Sequence, residues 1–133
     1  MSFLLDTDTC SAHLRRPAGL MHRFTQYSGR LFVSMVGVAE LYAWAHHRDD
    51  PRPISDAIDF MLQNEVVVLD FDRDCAREFG KLRGVLRRSG TSIPLIDLLI
   101  AATARVHDLT LVTHNTADFA RVPDLRLEDW VAQ

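Results

Sequence analysis

Asp6, Thr7 and Asp8 directly follow the apolar run Phe3-Leu4-Leu5. A carboxylate at the end of such a run points into a crevice, where burial is unfavourable unless a partner or a metal offsets it. Asp97 is a lone acid within Leu95-Ile96-Asp97-Leu98-Leu99-Ile100. At the start of a helix it gains about 0.3–1 kcal/mol from the dipole. A serine or threonine would cap that helix as well, so the charge calls for a second reason, and a metal is one. Glu40 lies one step off an apolar helix face. Asp118 closes the oxygen-rich run Thr113-His114-Asn115-Thr116-Ala117, just before a Phe119 that would anchor the turn. Simple structural roles compete: Asp8 or Thr9 serves equally as a helix cap, an exposed helical Glu40 is routine, and residues 113–118 would make a polar turn. Taken together the acids are hard oxygen donors without Cys or His ligand spacing, which suits Mg2+ or Mn2+ better than Zn2+.

The elements that must position these residues alternate between strand and helix. Phe3–Leu5, Leu31–Val33, Val66–Leu69, Leu109–Thr113 and Leu125–Leu127 read as strands, Val66–Leu69 the clearest of them. A short helix is expected from Thr9 to about Arg16, ended by Pro17 and Gly19. Val38, Leu41, Tyr42 and Ala45 form one face of a second helix reaching about His47. Further helices are expected from Ser55 or Asp56 through Leu62, from Asp72 or Asp74 to Ser89-Gly90, and from Asp97 to His107, the last buried on most sides. This alternation indicates a parallel α/β sheet with helices on both faces, and in such sheets ligands bind at the carboxyl ends of the strands. Asp6, Ser34, residues 70–74 and residues 114–118 all fall there.

Composition narrows the classes. The 133 residues are 47% hydrophobic and 25% charged, ordinary for a globular chain and too apolar for disorder. No run approaches the roughly 20 apolar residues of a membrane span. Met1 to Asp6 lacks the basic start of a signal peptide. Cys10 and Cys75 make no disulfide framework, so the expected location is the reducing cytoplasm. The net charge of −3, from 18 acids and 15 bases, argues weakly against nucleic acid. Lys81 is the only lysine, however, and the other 14 bases are arginines, the better fork for phosphate.

Four motifs in order, Leu4-Leu5-Asp6-Thr7-Asp8, Val38-Ala39-Glu40-Leu41, Ile96-Asp97-Leu98-Leu99-Ile100-Ala101-Ala102 and Leu111-Val112-Thr113-His114-Asn115-Thr116-Ala117-Asp118-Phe119, closely resemble the PIN-domain family. Within it the chain resembles the VapC-type ribonuclease toxins of bacterial toxin–antitoxin pairs. The likeness extends to Leu125-Arg126-Leu127-Glu128-Asp129-Trp130.

The resemblance implies one PIN-like α/β domain over residues 1–133, with a central parallel sheet of four to five strands. It implies a site of acids around one or two Mg2+ or Mn2+ ions: Asp6, Glu40, Asp97 and Asp118, supported by Asn115, Thr113 and Ser34, the last beside Asp6. Asp8 stands where the family usually has Asn, so its part is open. The family further implies an RNA substrate, a homodimer and a cognate antitoxin. Arg15, Arg16 and His114 are candidate substrate contacts, and the bases on the helix after Asp72 are weaker ones. Tyr27, Tyr42, Trp44 and Phe60 are candidates for dimer or antitoxin contacts, with core packing as the plainer account. Two rivals stand beside this reading. Asp6-Thr7-Asp8 also fits the opening of a haloacid-dehalogenase-type phosphatase, although only Lys81 could be its later lysine. An inactive PIN-like module would bind RNA or protein without cutting. If the four acids hold metal, setting them aside leaves a net charge of +1 on the rest of the chain.

Overall fold

The computed structural model describes residues 1–131. The chain runs β1 (Phe3–Leu5), α1 (Thr7–Arg15), α2 (Pro17–Gln26), β2 (Leu31–Ser34), α3 (Met35–Ala45), α4 (Arg52–Asn64), β3 (Val67–Leu69), α5 (Arg73–Arg88), α6 (Leu95–Val106), β4 (Thr110–Val112), α7 (Thr116–Phe119) and β5 (Leu127–Glu128). The strands form one parallel sheet in the order β3-β2-β1-β4-β5. β1 lies at its centre, Leu4 opposite Phe32 on one side and Leu111 on the other.

Strand alternation divides the core in two. Phe3, Leu5, Leu31, Val33 and Val112 pack with α1 to α4, while Leu4, Leu111 and Phe32 pack with α5, α6 and α7. Crossover handedness accounts for the division. The chain moves outward from β1 to β3, then returns past β1 to β4, so right-handed connections must switch faces at β3. On the first face Phe3 packs tilted against Tyr27 and edge-on against Trp130, with ring centroids 4.5 and 5.2 Å away. Tyr42 and Trp44 pack partly buried against the same core, and only Phe60 of the four aromatic contact candidates is strongly exposed, at 62%.

Several expectations are corrected. The first helix does end before Pro17, at Arg15, but Pro17 starts a further helix, α2, which runs through Gly19. At a first helical position the missing N–H has no partner to lose, and Leu20 and Phe24, four apart, bury the new helix against the core. Asp6 rather than Asp8 or Thr9 caps α1, which therefore begins at Thr7. α3 starts at Met35 because the Ser34 hydroxyl accepts the Gly37 N–H at 3.0 Å. α4 starts three residues early, at Arg52. The most strand-like run, at Val66–Leu69, forms the sheet's edge, leaving Val67 half exposed. The last strand falls at Leu127–Glu128, where it can register with Leu111 and Val112. Residues 116–119 form a short helix in place of a plain turn.

Candidate active site

At the carboxyl end of the sheet the connections diverge between β1 and β4: one side leads to β2, the other to β5. Such a switch point opens a crevice between the two loops, and Asp6 stands at its floor. The backbone N–H of Asp6 donates to the Val112 carbonyl at 2.9 Å, continuing the ladder from β1 to β4. Its carboxylate is fixed at both oxygens: Oδ1 accepts the Thr7 N–H at 2.9 Å and Oδ2 accepts the Thr113 hydroxyl at 2.8 Å. Only 6% of the residue is exposed. Burial, then the neighbouring Asp8, pushes its pKa up to about 7; the bonds from Thr113 and Thr7 pull it back, and Asp97 adds a smaller upward push.

Thr113 organises the loop opposite. Besides donating to Asp6, its hydroxyl accepts the Asn115 N–H at 3.0 Å. Asp8 reaches across from α1, its Oδ2 accepting the His114 N–H at 3.0 Å. It thus braces the loop after β4 and caps no helix. The Asn115 side chain spans two acids, its Nδ2 lying 3.1 Å from Asp118 Oδ2 and 3.4 Å from Asp97 Oδ2. Phe119, fully buried, anchors α7 and with it Asp118.

Asp97 lies in the first turn of α6 and is partly buried. Its pKa is raised to about 6, first by burial, then by Asp118, Glu40 and Asp8. Those causes show that acids from α1, α3, α6 and α7 share one field. Glu40 is steered there by the Thr7 hydroxyl, which donates to its Oε1 at 2.5 Å. Among the described residues the cation paired with these acids is Arg121, 2.9 Å from Asp118 Oδ1 at the outer edge. An acid set that raises its own pKa values and has almost no base in it is a chemical fit for a divalent cation. Among the described residues no three acidic, His or Cys side chains converge as a ready-made ligand cage.

The other candidates divide. Ser34 is spent on capping α3, and the hydroxyl that orients Asp6 is that of Thr113. His114 stays exposed at the rim, its Nδ1 3.0 Å from Asp129 Oδ2. Arg15 and Arg16 do not join the acids. The nine residues of α1 carry them about 13 Å along the axis from Asp6, where they line a separate cleft with Leu20 and Trp130. Thr7, Arg121 and Asp129 escaped the sequence reading. A hydroxyl between two candidate acids was the available signal for Thr7; the other two contacts had none.

The family model for the PIN domain matches residues 3–125. The chain belongs to the PIN-domain family. That assignment sets aside the haloacid-dehalogenase reading of Asp6-Thr7-Asp8. Ribonuclease VapC2 of Haemophilus influenzae is 37% identical to this PIN domain over 133 residues, covering 98% of this chain and 99% of the relative. The tRNA(fMet)-specific endonuclease VapC of Shigella flexneri is 34% identical over 131 residues, covering 98% of each. Among solved structures, DNA-bound VapBC from Salmonella typhimurium includes a chain that superposes with a TM-score of 0.92 at 31% identity, with 98% of both chains covered. VapBC2 from Rickettsia felis, bound to a promoter DNA fragment, gives 0.90 at 28% identity, covering 98% and 99%. Among the described residues of the PIN domain, no helix is long and apolar enough to cross a membrane.

Proposed function

We propose that this chain is a Mg2+- or Mn2+-dependent endoribonuclease, the toxin of a VapC-type toxin–antitoxin pair, acting in the cytoplasm as a homodimer and held in check by a cognate antitoxin. The observation that carries the chemistry is the shared field at the β1/β4 switch point, where Asp6 and Asp97 both resist ionisation because of burial and other acids. Relatives named ribonuclease and tRNA(fMet)-specific endonuclease support RNA as the substrate, and VapBC complexes of the same fold support the antitoxin.

Asp6 and Asp97 would hold the cation, with Glu40 and Asp118 completing the acid set. When bound, a divalent ion supplies charge neutralisation at the scissile phosphate and activation of water for in-line attack. The chain's own residues do the positioning. Thr113 and the Thr7 N–H lock both Asp6 oxygens, so that carboxylate cannot rotate away. Asn115 keeps Asp97 and Asp118 side by side, and Thr7 aims Glu40 toward them. Among the described residues no pair of histidines faces the acid set to activate a ribose 2′-hydroxyl, His114 at the rim being paired with Asp129, so the expected products carry a 5′-phosphate and a 3′-hydroxyl.

Mapping the ends of cellular RNA after induction tests this reading, with Asp6→Ala as control. Asp97→Asn should lower the cleavage rate by roughly 100-fold or more, the scale of losing one preorganised electrostatic contact to the transition state. Wild-type cleavage by Asp97→Asn would overturn the assignment. An inert RNA- or protein-binding module would also show no thermal stabilisation by Mn2+.

A further inference from the structure

Residues 79–96 carry Lys81, Arg83, Arg87 and Arg88 and no acid, so the remainder of the chain, at net −7, holds the whole negative excess. The fold brings this basic segment to the active end. α5 and α6 pack antiparallel: Glu78 pairs with Arg105 at 3.0 Å near one end, while Leu86 and Leu98 meet near the other. The basic end of α5 therefore lies beside the first turn of α6, which bears Asp97.

There α5 and the segment leading into α6 enclose an open cleft of about 280 Å3. Arg83, Arg87, Thr91 and Ser92 line it over a floor of Leu86 and Leu98, the latter adjacent to Asp97. None of its lining residues belongs to the acid set. The guanidinium of Arg83 lies 5.9 Å from the Phe79 ring centre, which stiffens it without neutralising it. Among the described residues neither Arg83 nor Arg87 makes an ion pair. Arg88 folds back over Gly84 on its own helix, leaving the cleft to the other two. Two unneutralised guanidinium groups with two hydroxyls are the donor set that phosphodiester oxygens accept from. The cleft sits at the lower bound of the roughly 300–1,000 Å3 pockets that enclose small ligands, and its open form suits a polymer passing through.

We infer that this cleft is a subsite for the RNA backbone, in which Arg83 and Arg87 grip phosphates of the strand flanking the scissile bond. The inference rests on the nuclease reading above and deepens it: the acids cut, and a separate basic trough holds the strand they cut. With the four acids of the site set aside as metal holders, the rest of the chain outside residues 79–96 is at net −3, so the positive excess lies on this segment and draws RNA to this side.

The test uses the full chain carrying Asp97→Asn and fluorescein-labelled single-stranded RNA in Mg2+, read by fluorescence anisotropy at several salt concentrations. Adding Arg83→Gln and Arg87→Gln should weaken binding roughly tenfold or more per lost charge-assisted contact. It should also lower the salt slope by about 1.4, or about 0.7 per phosphate contact on a single strand. Arg73→Gln with Arg77→Gln removes the same charge from the other end of α5 and should change binding far less. Equal losses from both pairs would overturn the subsite. So would competition by a poly-glutamate peptide as effective as that by unlabelled RNA, which would mark the cleft as an acidic-peptide site. In the cleavage-competent chain the Arg83/Arg87 change should raise KM more than it lowers kcat. Absence of cleavage by the unsubstituted chain would count against the nuclease reading alone, because the binding arm decides the cleft independently.

Discussion

Asp6→Asn should stabilise the metal-free protein at alkaline pH while destroying its metal response. In the unfolded chain Asp6 has the ordinary aspartate pKa of about 3.9; in the folded chain it is pushed up to about 7. Between those values the folded state holds a proton that the unfolded state has lost. Stability therefore falls as pH rises through this window, and the full loss is present above pH 7. Three units at about 1.4 kcal/mol each make that loss about 4 kcal/mol, and with only 6% of the residue exposed, solvent screening takes little from it. Asparagine preserves the geometry: its Oδ1 still accepts the Thr7 N–H, and its Nδ2 can donate to the Thr113 oxygen. In EDTA at pH 8, urea unfolding should find Asp6→Asn more stable than wild type by about 2–4 kcal/mol, the gap shrinking as pH falls and closing below about pH 4. Mn2+ should close the gap, since an ion at 1,000 times its Kd adds about 4.1 kcal/mol to the chain that binds it. Equal or lower stability of Asp6→Asn at pH 8 in EDTA would refute this account, as would an advantage indifferent to pH.

Protons on Asp6 and Asp97 compete with the cation, so Mn2+ affinity measured calorimetrically should rise between pH 5.5 and 8, across their raised pKa values of about 7 and 6; a flat profile would contradict it. Thr113→Val removes the hydroxyl that donates to Asp6 and accepts from Asn115. It should cost about 1–3 kcal/mol by denaturant melting, the penalty of unpaired buried polar groups, and weaken metal binding. Phe119→Ala should cost about 3–5 kcal/mol and, by loosening the seat of Asp118, reduce cleavage beyond what the lost stability explains; unchanged activity at a temperature where the variant is folded would refute that link.

How legible all this was in the sequence depended on the range of the interaction. Phe3-Leu4-Leu5, Leu31-Phe32-Val33 and the run before Thr113 declared their strands, because a fully buried parallel strand must be continuously apolar. The acids declared themselves by their misfit: Asp97 is conspicuous among apolar neighbours, and Asp6 ends a buried strand. α2 was misread because Pro17 has two opposite meanings, stop and first position, and Leu20 and Phe24 alone decide between them. Arg15 and Arg16 looked close to Asp6 because sequence separation ignores how far a helix carries its last turn. Ser34 and Thr113 are both hydroxyls at strand ends beside Asp6, and that Thr113 makes the bond is not legible, because no local pattern reveals that β4 docks beside β1 across more than 100 residues.

That pairing has a consequence for how the protein comes into being on the ribosome. β1, β2 and β3, with α1 to α4, supply most of the core on one face of the sheet, and all of these elements precede Asp70; Val112 and Trp130 join it later. A growing chain can bury that half early. Yet Asp6 then has an empty edge beside it: its ladder partner Val112, its orienting hydroxyl on Thr113 and its fellow acids Asp97 and Asp118 are synthesised last. Because the final third of the chain must slot in next to the first strand, a polypeptide terminated before Asp97 carries only half of the proposed acid set and lacks the strand that orients Asp6. The proposed site can assemble only late in synthesis.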